Sequence, residues 1–317
     1  MPAVGRSGDA ARPPGRAGVG LLWLAVLFLL VAPPAFLLAP LVGLLACSRP
    51  ATWREWIWLL LGGAAVVYWL AQGGDVAEQS VRALSVLAAG AFVALTLADE
   101  ATPVTRALMA AGIAVAALAA WCGVLGVSWD VLRMSVTRTL ETAFRSMAAQ
   151  APGASPETSA AFRQMAEAAP AWAAAMPGLV YVQAVIGMLL AWGLHRRIAR
   201  YPLGEAAPPF GAFRFSDQLV WVVVAGLALV LFPTSPPLRD VGTNCLVVGG
   251  TLYAARGLAV VRSAAGRVPA PTTIAIGFAT LVLLPFVLGG LTLLGLADTW
   301  LDFRGRLAPP TTGGFNP

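Results

Sequence analysis

The stretch Val19–Cys47, VGLLWLAVLFLLVAPPAFLLAPLVGLLAC, contains no charged residue, and its reading decides the fold. At about 28 residues it exceeds the roughly 20 that a helix needs to cross about 30 Å of hydrocarbon. It is too long for a signal-peptide core and shows no small-residue cleavage site, so it reads as retained. Pro33, Pro34 and Pro40 interrupt it. Each proline removes a backbone donor, so the segment must kink, break, or fold back as a re-entrant pair whose freed carbonyls find partners within protein.

Seven further apolar segments follow: Trp53–Ala71, Ala83–Ala98, Ala107–Val127, Pro177–Leu194, Gln218–Phe232, Val241–Val261 and Thr272–Ala297. Trp53, Trp56 and Trp58 open the second segment as an interfacial aromatic belt would. The expected fold class is all-α: a polytopic transmembrane helix bundle of about eight spans with an extramembrane helical hairpin. Met1–Gly18, with Arg6, Arg12 and Arg16, reads as a disordered basic tail; 19–306 reads as one transmembrane domain and 307–317 as a second disordered tail.

Composition agrees. Hydrophobic residues make up 58% of the 317 and charged residues 11%, against roughly 25% charged in a soluble domain, which excludes a water-soluble fold. All 21 basic residues are arginine, in keeping with the excess of Ala, Gly, Pro and Arg that a GC-rich genome gives. The net charge of +6 comes from arginines between spans and points to anionic lipid headgroups; nucleic acid is not an expected partner. Cys47, Cys122 and Cys245 share no short spacing, and His195 is the sole histidine, so neither a metal site nor a cofactor is expected. Walker A, G-x-S-x-G, H-E-x-x-H and G-x-G-x-x-G patterns are all missing, and no catalysis is expected.

Arginine bias sets the orientation. Arg196, Arg197, Arg200 and Arg214 lie in one loop, and Arg256, Arg262 and Arg267 at the end of the seventh segment and in its following loop, which places both on the cytoplasmic side of a bacterial inner membrane. Ser128–Met176 then falls outside. In it Trp129, Leu132, Val136, Leu140, Phe144 and Met147 recur at helical spacing, and a second helix opens at Ser155-Pro156 with Phe162, Met165, Ala169 and Trp172 on one stripe. The spacing predicts a hairpin of two amphipathic helices, 128–176, burying Trp129, Leu132, Val136, Phe144, Phe162 and Trp172.

Polar groups at membrane depth are costly and therefore few. Asn244, Arg256, Asp298, Asp302 and Arg304 are the candidate structural or ligand-contact residues. Arg256 either snorkels to the headgroups or makes an ion pair or an anion contact in a buried site. Asp298, Asp302 and Arg306 share a face if the last helix continues. Because a carboxylate near a helix C-terminus opposes the macrodipole, Asp298 or Asp302 should pair with Arg256, Arg262 or Arg214. Glycines within spans, among them Gly62-Gly63, Gly187, Gly249-Gly250 and Gly289-Gly290, should allow close helix packing.

Four features, Tyr181–Arg197, Pro208-Pro-Phe with Phe213-Arg-Phe, Asn244 with Leu258-Ala-Val-Val, and the closing Leu294-Gly-Leu-Ala-Asp-Thr-Trp-Leu-Asp-Phe-Arg, carry a resemblance to the YybS-like family of bacterial membrane proteins, a family of unknown function. The resemblance implies a multi-spanning inner-membrane protein, distantly similar to the substrate-capturing integral subunits of vitamin transporters. The expected role is a transporter-like or small-molecule-binding component; the alternative is a scaffold that docks a membrane-protein partner of the envelope or division machinery through the 128–176 hairpin.

Overall fold

The computed structural model describes residues 17–98, 101–149, 156–204, 209–232, 235–264 and 283–307. All regular elements among them are helical: α1 Ala17–Val31, α2 Ala35–Cys47, α3 Trp53–Ala71, α4 Val76–Ala98, α5 Pro103–Val124, α6 Trp129–Ala149, α7 Pro156–Glu167, α8 Ala169–Ile198, α9 Val220–Leu231, α10 Pro236–Ala264, α11 Leu284–Leu301 and α12 Phe303–Leu307. Two 3₁₀ turns, Phe210–Ala212 and Asp217–Leu219, precede α9. Residues 1–16 and 308–317 of the two expected tails, and the start of the eighth segment at Thr272, lie outside the described residues, whereas Ala17 and Gly18 belong to α1 and Leu307 to α12.

Among the described residues, α4, α5, α8, α10 and α11 are long and apolar enough to cross a membrane, so the expected eight spans are not all reached. The first segment breaks as its prolines require: it forms two short helices, with the chain interrupted at Pro33-Pro34. Leu21 of α1 lies against Gly193, near the end of α8, whereas the Phe36 carbonyl at the start of α2 lies against Gly187. The start of α3, just after α2, meets the end of α8, where Glu55 accepts from the Arg200 N–H at 2.6 Å, so the chain descends along α8 and returns to its end. It is a helical hairpin of the re-entrant form, and its tip is about 17 Å from the C-terminal end of α8 at 1.5 Å per residue.

The prolines explain how such a tip is tolerated. A helix N-terminus leaves backbone donors unpaired, and hydrocarbon offers no water to satisfy them. Pro33 and Pro34 have no N–H, and their carbonyls accept from Phe36 and from Leu37 and Leu38 at 2.9–3.2 Å. Pro40 in turn frees the Phe36 carbonyl of its helical donor, and Gly187, without a Cβ, brings its backbone against that oxygen. The helix that results is the hub of the protein: Ala35, Phe36, Leu37, Leu41, Leu44 and Leu45 are all essentially inaccessible, enclosed by α3, α4 and α8.

Helices α1–α5 and α8 share this core, and α9, α10 and α11 form a second group joined to it through α8 and α10. The joint is made by Asn244. Its Oδ1 accepts from the Gly178 N–H at 2.5 Å, and its Nδ2 donates to the Ala174 carbonyl at 2.8 Å, the two groups an uninterrupted helix would bond to each other. Asn244 thus enters the α8 hydrogen-bond ladder one residue beyond Pro177, where the helix is already weakened. Helix α8 begins eight residues before the expected Pro177 start.

The hairpin also differs from expectation. Its second helix stops at Glu167, and residues 169–176 belong to α8, which starts afresh on Pro170. Trp172 is consequently 53% exposed on α8 instead of buried in the hairpin. Trp129, Leu132, Val136, Phe144 and Phe162 are half-buried, and no residue of α6 is fully buried. The Gln150–Ser155 connection, with its expected cap at Ser155, lies outside the described residues.

Two aspartates hold the hairpin down. Asp240 at the start of α10 accepts from Trp129 Nε1 at 3.0 Å and Arg133 Nη1 at 3.1 Å, while Asp75 between α3 and α4 accepts from Ser135 at 2.7 Å and Thr139 at 3.2 Å. The Glu78 backbone N–H, and next the Ser135 hydroxyl, hold the Asp75 carboxyl below the usual aspartate range. These contacts fix one face of the bundle, the hairpin face. The opposite face gathers the end of α2, the starts of α3 and α5, the ends of α8, α10 and α11, and most of the arginines.

Candidate functional site

On this basic face the α10–α11 pair ends in a buried charge cluster. Gly257 on α10 and Gly295 on α11 face each other across backbones in direct contact: a Cβ on Gly257 would overlap the Leu291 carbonyl, and one on Gly295 the Tyr253 carbonyl. Arg256 adjoins the first glycine, and Asp298 lies one turn after the second. Arg256 Nε donates to Asp298 Oδ2 at 3.0 Å and its Nη2 to the Asp298 backbone carbonyl at 3.3 Å, with the arginine side chain only 3% exposed. Snorkelling is therefore overturned for Arg256; it is paired within the protein. Asp298, opposed by the dipole of its own helix, gains both a cation and a partner for its carbonyl.

A third group completes the cluster. Arg256 Nη1 donates to Asp217 Oδ1 at 2.6 Å, and the Asp217 side chain is 63% exposed. Phe215 places its ring 5.6 Å from the guanidinium carbon and meets Tyr253 edge-on at 5.1 Å. Asp302 does not share a face with Asp298 and Arg306, because the helix ends at Leu301 and Asp302 takes a left-handed conformation with φ of 40°. Its carboxylate reaches Arg214 at 2.5 Å, in a pair more than half exposed on both sides. Of the candidate residues, Arg256 and Asp298 are thus brought together, Asp302 sits beside them at the surface, and Asn244 belongs to the distant α8–α10 joint. Arg304 falls on α12, with its side chain outside the described part.

The sequence reading passed over a second buried cluster on the same face. Glu55, 1% exposed, accepts from the Ala51 and Thr52 backbones and the Thr52 hydroxyl at 2.7–2.9 Å through Oε2, and from the Arg200 N–H at 2.6 Å through Oε1. It ties the start of α3 to the end of α8. Thr52-x-x-Glu55 is a capping-box signature legible in the sequence; its link to Arg200 is not. Nearby, Trp192 lies 4.8 Å from the Arg106 guanidinium and 5.9 Å from that of Arg196, with Gly204, at φ of 63°, closing over the ring. His195 is fully enclosed, and neither ring nitrogen has a hydrogen-bond partner among the described residues.

The glycines divide sharply. Gly62 packs on Val42, Gly187 on Phe36 and Gly249 on Val223, as close helix approach requires. Among the described residues, an added Cβ on Gly63, Gly250, Gly289 or Gly290 would meet no atom within 4 Å, although the Gly250 carbonyl accepts from Thr292 of α11 at 3.2 Å. An open apolar groove of about 410 Å³ lies between α1 and α8, lined by Leu24, Leu27, Phe28 and Ile186 among others. Among the described residues, no three His, Cys, Asp or Glu side chains are grouped to hold a metal ion.

The predicted membrane protein family DUF2232 matches residues 21–299, and the chain belongs to that family. No curated protein and no solved structure matches it. The match takes in the re-entrant pair, the Asn244 joint and the Arg256–Asp298 cluster together.

Proposed function

We propose that this DUF2232 membrane protein is a transporter-like, small-molecule-binding component of the bacterial cytoplasmic membrane, with no catalysis of its own. The observation that carries the reading is the re-entrant α1–α2 pair. A broken helix at membrane depth is tolerated where it is enclosed by protein or borders a path through it, and transporters use such breaks to build their substrate sites. A bundle serving only as an anchor has no need of one. Arg256, buried at the basic face but paired there with the mostly exposed Asp217, adds a polar contact for a solute.

In this reading the basic face is cytoplasmic, where its arginines meet anionic headgroups. Cysteines introduced at Ser263 and at Ser146 on α6, in a chain freed of its native cysteines, test the orientation. Ser146→Cys should react with an impermeant reagent in intact cells and Ser263→Cys only after permeabilisation; equal labelling would overturn it.

The scaffold reading retains one specific support: Val131, Met134, Met147 and Met165 remain 47–51% exposed on the hairpin after α6 and α7 have packed. Mass spectrometry of the chain purified in lipid nanodiscs separates the two roles. A small molecule retained in proportion to protein supports the transporter-like reading. A stoichiometric envelope protein in its place, released by Met134→Glu, would replace that reading with the scaffold.

A further inference from the structure

The three members of the Arg256 cluster are not equivalent. Asp298 is enclosed on α11 and holds Arg256 through both its carboxylate and its carbonyl. Asp217 stands on a short 3₁₀ turn, is mostly in solvent, and is joined to Arg256 through Nη1 alone. Arg256 and Asp298 already balance each other's charge. Asp217 therefore adds a second negative charge to a guanidinium that does not need it for neutrality.

We propose that Asp217 occupies a ligand position: an oxyanion, the phosphate or carboxylate group of a molecule arriving at the basic face, takes its place on Arg256 Nη1. This deepens the small-molecule reading and rests on it. Exchange of one oxyanion for another leaves the charge of the site unchanged, so no buried charge is left uncompensated when Asp217 withdraws. Asp298, enclosed and joined to Arg256 through both its carboxylate and its carbonyl, cannot be exchanged in this way. Guanidinium presents a planar fork of donors suited to phosphate and carboxylate, and the surrounding arginines draw anions to this face.

The rest of the segment is arranged to stay in place. Phe215, 8% exposed, is wedged between Tyr253 and the guanidinium, and Arg214 is fastened to Asp302 on the far side. Asp217 can swing aside while Phe215 keeps the floor of the site and holds Arg256 in position. The segment then acts as a strap with a releasable end.

Chemical rescue of the full chain in phosphatidylcholine nanodiscs tests the assignment. Asp217→Ala should melt below the parent, and inorganic phosphate or acetate, with ionic strength matched by sodium chloride, should restore it. Phosphate should bind Asp217→Ala and the isosteric Asp217→Asn at least about tenfold more tightly than the parent, since the competing carboxylate is gone. Arg214→Ala should show neither effect. Recovery of Asp217→Ala in phosphatidylglycerol nanodiscs without added anion would support the site and identify its occupant as a lipid headgroup. Parent-like phosphate affinity in both Asp217 variants, or rescue undiminished when Arg256→Lys is added to Asp217→Ala, would overturn the proposal. A chain that retains no solute in nanodiscs but shows phosphate rescue would sink the small-molecule reading alone; a retained solute without rescue would sink only this site.

Discussion

Asp298→Asn lowers the unfolding free energy of the detergent-solubilised chain by about 3 to 5 kcal/mol, and Arg256→Gln by at least as much. The pair is almost wholly withdrawn from solvent; Arg256→Gln takes the cation from a buried carboxylate, and Asp298→Asn leaves the buried guanidinium with only the mostly exposed Asp217 on one of its nitrogens. Arg256→Gln should be the more damaging, because it takes the Arg256 cation from Asp298 and from Asp217 at once. The double mutant should lose clearly less than the sum of the single losses, since once one partner is gone the other has little left to lose. Arg214→Gln, which breaks the exposed pair with Asp302, should cost about 1 kcal/mol or less. Reversible unfolding followed by tryptophan fluorescence measures all four. Additive losses for Asp298→Asn and Arg256→Gln would show that the clamp does not hold the helices together.

This pairing was legible before any coordinates because the sequence presents an imbalance that has to be resolved. Asp298 sits where the helix dipole disfavours a carboxylate, and arginines were the cations on offer. Asp217 gave no such signal: it is an ordinary loop aspartate, and its contact with Arg256 spans 39 residues of chain. The break at Pro33-Pro34 was legible from the prolines, but its direction was not. That depends on Gly187 admitting the Phe36 carbonyl, which is a tertiary contact. The amphipathic stripe of α6 could be read from its period, whereas the second helix was carried too far because its stripe continues in phase across Ala168 and Pro170 into α8. Glycine pairs were the least informative, since Gly249 and Gly250 look alike in sequence, yet the first packs its Cα face on Val223 while the second meets α11 only through its carbonyl, which accepts from Thr292 Oγ1 at 3.2 Å. Periodicity and missing backbone donors are local properties that a sequence records; which surfaces meet is decided by the assembled bundle.

Gly295→Ala should destabilise the chain by about 3 kcal/mol, and Gly257→Ala by a similar amount, although each adds a single methyl group. In both cases that methyl would fall on a backbone carbonyl of the facing helix, which has no rotamer by which to move away. Helices α10 and α11 would have to separate, and Arg256, next to Gly257, would be drawn from Asp298, one turn beyond Gly295. The glycine contact and the charge pair are parts of one interface, so Gly295→Ala combined with Asp298→Asn should cost less than the two changes measured apart. Gly289→Ala and Gly290→Ala on the same helix serve as controls. Their added methyls meet nothing within 4 Å among the described residues, and alanine suits a helix better than glycine, so stability should stay level or rise by up to about 1 kcal/mol. Equal effects at Gly290 and Gly295 would mean that backbone entropy, and not the close approach of α10 and α11, governs this helix.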